Sequence, residues 1–228
     1  MPTLAPAAII QADFDRLAQY DTDAWSHNGY YHGFLLRQLP VPCEAALEIG
    51  CGTGGLARQL AARAGHVLAL DLSPAMIQIA QARSAGCANI DYRVADALSW
   101  DWPVEHFAGI VSVASLHHLP LAEILPRMCA ALRPGGVLAV LDLFSSAGPR
   151  DRLLDALARP ASAVLSLLKN GRLRESPEGL AAWDAHGQHD AYLSLAEIRQ
   201  ACAGILPGAR VRRRLFWRYS LVWRKPAS

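Results

Sequence analysis

The sequence predicts an α/β fold, a largely parallel β-sheet with helices packed on both faces. Three observations lead there. Short apolar runs alternate with segments of helical spacing between residues 45 and 144, the arrangement that builds βαβ units. The run "FAGIVSVASL" (107–116) is apolar at successive positions, as a central parallel strand buried on both faces should be. Finally, "LEIGCGTGG" carries an apolar run into a glycine-rich turn just before a helix-forming segment, where a sheet of this kind meets its ligands.

The elements follow in order. "AAIIQADFDRLAQYD" has helical spacing through Ile10, Phe14 and Leu17, and "YYHGFLLRQLP" reads as a short second helix stopped by Pro40. "AALEI" is the first strand, and "GGLARQLAARAG" is a helix expected to close with Gly65 at its C′ position. "HVLALDL" is the second strand. Ser73 then caps a helix whose first residue, Pro74, stands where proline is best tolerated. "NIDYRVADA" is the third strand and "FAGIVSVASL" the fourth. In "AEILPRMCAALRPGG", Pro126 suggests a helix whose regular hydrogen bonding starts late, and "GVLAVLDLF" is the fifth strand. After Phe144 the alternation stops. Residues 148–186 hold apolar helical stretches interrupted by Pro160, Gly171 and Pro177. Ser194 and Glu197 form a capping-box pattern, and "ARVRRRLFWRYSLVWR" reads as a closing hairpin.

Composition narrows the class. The chain has 228 residues, of which 52% are hydrophobic, enough for one large domain with its own core. A formal charge of +2 gives no global attraction to nucleic acid or acidic membranes. The five cysteines are scattered without a CxxC pair, which points away from a disulfide framework or a zinc knuckle and towards a reducing, cytoplasmic setting. "MPTLAPAAIIQADFDR" lacks a basic leader ahead of an apolar stretch. No apolar run approaches the roughly 20 residues of a transmembrane helix.

In "EIGCGTG", Gly50, Gly52 and Gly54 alternate with other residues, so something is expected to approach this backbone at every second position. A dinucleotide fingerprint would be GxGxxG. Here the spacing is GxGxG and Glu48 precedes the turn, which suits a cationic group or amine better than a pyrophosphate. Asp71 ends the second strand, where an acid can accept both hydroxyls of a ribose. Asp96, in "VADAL", follows the third strand at the same edge, within reach of an adenine amino group. Each acid alone would be an ordinary loop residue; the three in succession point to a nucleoside.

The ordered set "LEIGCGTG", "LALDLSPAMI", "VADAL", "GIVSVASLHHL" and "LRPGGVLAVLDL" resembles the class I S-adenosylmethionine-dependent methyltransferases over roughly residues 44–144, and most closely their small-molecule members. The resemblance implies a Rossmann-like, doubly wound, seven-stranded sheet, mostly parallel with an antiparallel last strand. The C-terminal hairpin would supply its two final strands. It implies S-adenosyl-L-methionine as cofactor and S-adenosyl-L-homocysteine as product. Glu48, Gly50, Cys51, Gly52 and Gly54 would lie against the methionine part, Asp71 would bind the ribose, and Asp96 with Ala97 the adenine. Leu72 and Met76 would give apolar contact to the base, and Ala114 would line the cofactor after the fourth strand. One domain is expected over 1–228: a helical cap (1–42), a cofactor-binding core (43–147), a helical cover (148–190), and a C-terminal helix and β-hairpin (191–228).

Displacement at a sulfonium needs alignment and exclusion of water, and a base only where the acceptor must lose a proton. His117 and His118 are the candidate bases; their alternative role is packing or capping the turn. Trp25, His27, Tyr31 and His32 would either close over cofactor and acceptor or anchor a helix to the sheet. "HGQHD" (186–190) has a metal-like look, but without a third ligand at defined spacing it reads as a solvated loop, and no metal is expected. "RVRRR" reads as a solvated edge strand rather than a nucleic-acid patch, and the Asp/Asn-Pro-Pro-aromatic turn of nucleic-acid amino-methyltransferases is replaced by "VASLHHLP".

Residues 148–186 are expected to roof the acceptor site with helices near 149–158 and 161–169, jointed at Pro160 and Gly171, which implies a partly apolar small-molecule acceptor. The rival accounts are a second subunit or a membrane surface, and monomer and dimer are equally compatible with the sequence. Two further functions stand beside methyl transfer. One is a protein that binds the cofactor without transferring its methyl group, or uses the sulfonium for another reaction. The other is a nicotinamide-dependent oxidoreductase, disfavoured by the glycine spacing and Glu48.

Overall fold

A computed structural model of the chain describes residues 4–22, 26–146, 148 and 176–227, with positions 156, 158, 160, 164, 165, 167 and 168. Seven strands form one sheet in the order β3-β2-β1-β4-β5-β7-β6. β1 (Cys43–Ile49), β2 (Ala64–Asp71), β3 (Ile90–Val94), β4 (Phe107–Val113) and β5 (Leu132–Leu143) run parallel. β7 (Arg218–Arg224) is antiparallel to β5, and β6 (Arg210–Arg213) pairs with it at the edge. The closing hairpin and the antiparallel last strand are thus as the sequence predicts. On the edge strand, Arg210 and Arg212 are exposed, whereas Arg213 and Arg214 lie over the Phe144 and Phe34 rings.

Both faces of the sheet are covered. Along β5, Val137, Ala139 and Leu141 join one buried cluster with Leu35, Leu60 and Val67. Leu138 and Val140 join the other, with Ile110, Ile124 and Met128. The period of two sends neighbours to opposite cores, which is why an uninterrupted apolar run is needed here. Strand order reverses between β1 and β4, so the loops after these two strands diverge and leave a crevice at their carboxyl ends.

Outside 147–175, the α-helices among the described residues are α1 (Ala7–Leu17), α2 (His32–Leu36), α3 (Gly55–Ala61), α4 (Pro74–Arg83), α5 (Leu121–Ala131), α6 (Pro177–Gly187) and α7 (Leu195–Ala203). Ser73 Oγ accepts from the Met76 amide at the start of α4, and Ser194 with Glu197 closes a capping box on α7.

Three expectations are corrected. Gly65 does not cap α3: the helix ends at Ala61 and Gly65 is already a β2 residue. A Cβ there would stand 2.9 Å from the Glu44 carbonyl oxygen, so close approach of two strands, not a helix end, selects glycine. Hydrogen bonding in α5 starts well before Pro126, because the Pro120 carbonyl accepts from the Glu123 and Ile124 amides at 2.9 and 3.0 Å. "LRPGG", read as the end of that helix, opens β5 instead, with a Cβ on Gly136 only 2.8 Å from the Arg133 carbonyl oxygen. Of the expected cover, positions 156–168 are helical where described, Pro160 included, and Pro177 begins α6 under a Ser176 cap. The remainder of 149–175, with Gly171, lies outside the described residues.

Candidate functional site

The glycine turn joins β1 to α3. The Gly50 and Cys51 amides donate to the Leu70 carbonyl at 2.8 and 3.0 Å, which pins the turn to the end of β2. Gly50, Gly52 and Gly54 all have left-handed backbone, with φ of 70, 51 and 77°. Their surroundings differ, and this corrects the expectation of a ligand at every second position. A Cβ on Gly50 would lie 1.9 Å from Ser115 Oγ, and one on Gly54 2.3 Å from the Tyr92 hydroxyl. The protein itself fills those two spaces. A Cβ on Gly52 would meet nothing within 4 Å, so only this glycine presents bare backbone to open space.

Acids gather beneath it. Asp71 Oδ2 accepts from the Gly52 amide at 2.7 Å and Oδ1 from the Ser73 amide at 2.9 Å. Burial raises the Asp71 pKa, and these backbone donors act against that rise. Glu48 is buried and its Oε2 has no hydrogen-bond partner. Burial first, and then the Asp71 charge, push its pKa well above the carboxylate range. An orphaned carboxyl oxygen beside an open glycine turn is the complement of an ammonium group. Cys51 is buried, and desolvation first, then the Asp71 and Glu48 charges, hold its thiol pKa well above the usual value, which favours the neutral thiol.

The later turns lie at the same sheet edge. Leu72 is half-buried after β2, and Met76 is buried in the first turn of α4. After β3, Asp96 is half-buried and accepts from the Leu98 amide at 2.9 Å, while the buried Ala97 accepts from Trp102 Nε1 at 2.8 Å. After β4, Ala114 has φ 51°, a left-handed conformation unusual for a residue with a side chain. Its amide donates to the Leu141 carbonyl at 2.8 Å, so the strained turn is held by β5.

The aromatic segment ahead of β1 packs elsewhere. Trp25 lies outside the described residues. Tyr31 is buried, and its hydroxyl donates to the Leu215 carbonyl at 3.3 Å. His27 stacks on Phe216, with ring centroids 4.8 Å apart, and His32 Nδ1 is 3.0 Å from Gln59 Nε2 on α3. These contacts tie Tyr31 and His27 to the hairpin turn and His32 to α3. They also carry a pH prediction. Burial, and then the charge of Arg218, lower the His27 pKa to about 4 from 6.5. The unfolded chain therefore takes up this proton first. Stability should be fully kept above pH 6.5 and fall as pH drops towards about 4. In urea titrations at stepped pH, His27→Phe should flatten that part of the curve; an unchanged slope would place the acid sensitivity elsewhere.

A second cluster surrounds the short 3-10 turn Leu116–His118 that follows β4. The His117 amide donates to Asp142 Oδ2 at 2.8 Å, and its Nδ1 lies 2.6 Å from Asp142 Oδ1. A carboxylate only accepts, so the proton sits on Nδ1. Burial would lower the His117 pKa, but Asp142 and Asp190 outweigh it and raise it to about 9. The neighbouring His118 is lowered to about 3, by burial first and then by the His117 charge. Asp190, despite burial, is lowered to about 2 by the nearby His117 and by the Tyr192 hydroxyl, which donates to its Oδ2.

"HGQHD" is not a solvated loop. His186 is buried at the C-terminal end of α6, with Nδ1 3.2 Å from Asp13 Oδ2 on α1 and Nε2 3.4 Å from Asp190 Oδ1. Phe14 stands edge-on to both His186 and His118, at centroid distances of 4.7 and 5.8 Å. Gly187, Gln188 and His189 are exposed, while His189 Nδ1 reaches Asp13 Oδ2 at 2.7 Å. Sequence reasoning missed the partners because they come from α1 and from the ends of β4 and β5, far away along the chain. Asp142 did leave a signal, an acid inside the apolar run "VLAVLDLF". Asp13 and Tyr192 left none.

Comparison with known proteins places these features in a lineage. The family profile described as "Methyltransferase domain" matches residues 46–136. An uncharacterized methyltransferase of Mycobacterium tuberculosis is 31% identical over 203 residues, covering 89% of this chain and 98% of that protein. Trans-aconitate 2-methyltransferase of Methylobacterium radiotolerans is 39% identical over 153 residues, covering 63% of this chain and 57% of that one. Among solved structures, a Haemonchus contortus phosphoethanolamine N-methyltransferase bound to S-adenosylhomocysteine aligns with TM-score 0.60 at 21% identity, covering 80% of this chain and 38% of that one. At that identity the likeness speaks for the fold alone.

Proposed function

Since the chain belongs to the class I S-adenosylmethionine-dependent methyltransferase family, we propose that it transfers a methyl group from S-adenosyl-L-methionine to a small metabolite by direct displacement, releasing S-adenosyl-L-homocysteine. The observation that carries this reading is the bare Gly52 backbone facing open space above Asp71, with the unpartnered Glu48 oxygen at the same turn. These residues fit the cofactor. Glu48 would receive the amino group of its methionine part. Asp71 would add the ribose hydroxyls to the two amide donors it already holds, since each carboxylate oxygen has a second lone pair. Asp96 and Ala97 would take the adenine between Leu72 and Met76. With the cofactor held this way, the acceptor would lie by the β4 turn, where His117 and His118 would meet its polar atom. Acceptors of this kind are named in relatives such as the trans-aconitate 2-methyltransferase.

Calorimetry tests the binding half. The protein should bind S-adenosylmethionine and S-adenosylhomocysteine and show no comparable affinity for NAD; the reverse order would sink the proposal. Asp71→Ala should weaken cofactor binding by about 1.5–3 kcal/mol through loss of charged hydrogen bonds. Normal affinity in that variant would mean that the ribose lies elsewhere. A screen of small metabolites with methyl-labelled cofactor tests the chemical half: methylated product with stoichiometric S-adenosylhomocysteine supports transfer. Product formed while cofactor is returned intact would instead identify a protein that uses the sulfonium for another reaction.

A further inference from the structure

We propose that His117, His118 and Asp190 bind one divalent transition-metal ion of the zinc class, with a fourth position left open. Asp190 Oδ1 is the centre of the argument. Three imidazole nitrogens face it: His186 Nε2 at 3.4 Å, and His117 Nε2 and His118 Nδ1 both at 3.7 Å. These separations exceed a normal hydrogen bond of about 2.7–3.2 Å. Those of His117 and His118 approach the edge of a tetrahedron whose ligands lie about 2.0–2.1 Å from a central zinc, which is roughly 3.3 Å. Donor atoms of His117, His118 and Asp190 lie within 4.8 Å of one another, while His186 approaches this group only at Asp190 and stands behind it.

Burial sharpens the point. The four side chains are only 4–9% exposed, and Asp190 Oδ1 is buried without a hydrogen-bond partner. A buried carboxylate oxygen ringed by imidazoles, yet bonded to none of them, calls for an occupant. The surrounding shell also has the form of a metal site. Asp142 holds Nδ1 of His117 and Asp13 holds Nδ1 of His186, which leaves both Nε2 atoms facing Asp190. Tyr192 donates to the other Asp190 oxygen. Carboxylates behind the imidazoles fix the ring orientation and raise ligand basicity. Imidazole nitrogens with one carboxylate suit zinc and its neighbours better than magnesium or calcium, and the ion would displace the Nε2 proton that His117 holds without it.

The binding goes beyond the methyl-transfer reading and does not need it. The ion's use does rest on that reading: beside the β4 turn it would hold an acceptor oxygen and favour its deprotonated form. Three experiments test the site on full-length protein stripped by chelation. Wild type should take up one equivalent of Zn²⁺ in a competition titration, and Co²⁺ should give the intense visible bands of a four-coordinate site. Asp190→Asn and His118→Ala should each weaken Zn²⁺ at least about 100-fold, and Asp142→Asn about 10–100-fold as an outer-shell change. S-adenosylhomocysteine affinity, measured on every variant, reports that the fold is intact. Wild type that binds S-adenosylhomocysteine but takes up no stoichiometric Zn²⁺ would overturn the proposal and mark the cluster as a network closed by water. So would Zn²⁺ affinity unchanged in Asp190→Asn. Zinc uptake without S-adenosylhomocysteine binding would leave the metal site standing and remove the methyl-transfer reading.

Discussion

Gly52→Val is expected to reduce cofactor affinity by at least about 100-fold, roughly 2.7 kcal/mol, in a protein that remains folded. The position is distinguished by what it faces. Its Cβ would meet no protein atom within 4 Å, so valine overlaps nothing in the core and its methyl groups stand in the open space above the turn. The backbone there has φ 51°, and a residue with a side chain in that region costs about 1–2 kcal/mol. That loss is small beside a typical folding stability of about 5–15 kcal/mol. The β-branched side chain would also disturb the Gly52 amide, which donates to Asp71 at 2.7 Å. Gly50→Ala is the contrasting variant. Its single added carbon would sit 1.9 Å from Ser115 Oγ, so its main effect should be on thermal stability. Calorimetry with S-adenosylhomocysteine, paired with thermal unfolding, separates the two. Wild-type affinity in Gly52→Val would show that the open face of the turn is not where the cofactor lies.

The contrast between these glycines marks where sequence reasoning succeeds and where it stops. Periodicity and turn residues are local signals, and what depends on them was legible: the five parallel strands, the Ser73 cap, the capping box at Ser194 and the closing hairpin. Gly65 misled because glycine ends helices and also permits two strands to approach, and only the Glu44 carbonyl 2.9 Å away distinguishes the cases. The glycine turn was located correctly, but two of its glycines yield to Ser115 and Tyr92, partners brought in by β4 and β3. The histidines after β4 stood out at once. Their surroundings did not, because Asp13, Asp142, His186, Asp190 and Tyr192 come from four segments that meet only in the folded chain. A rule based on ligand spacing sees in "HGQHD" two histidines without a third ligand at defined spacing; the partners are supplied by topology.

Asp142→Ala is expected to be the most destabilising of the variants considered, by about 3–5 kcal/mol, the range for removing one partner of a buried ion pair. The Asp142 side chain is fully buried and that of His117 is 6% exposed. One carboxylate serves three donors: the His117 amide at 2.8 Å, His117 Nδ1 at 2.6 Å and the Leu143 amide at 2.7 Å. Alanine would leave them unsatisfied in a space closed to solvent, and unmade buried hydrogen bonds carry the desolvation penalty in full. A second effect adds to this. Arg218 is buried and its pKa is lowered by desolvation, which Asp142 opposes. Without Asp142, both His117 and Arg218 lose a countercharge. Asp142→Asn separates the two contributions, because the amide keeps one oxygen to accept from the His117 amide but lacks the charge. Its loss should fall clearly below that of alanine. Urea unfolding at neutral pH measures both variants. An alanine variant within about 1 kcal/mol of wild type would mean that water replaces the carboxylate without penalty, and that the β4 turn is not held by this residue. Equal losses in the two variants would assign the effect to charge alone and remove the hydrogen bonds from the account.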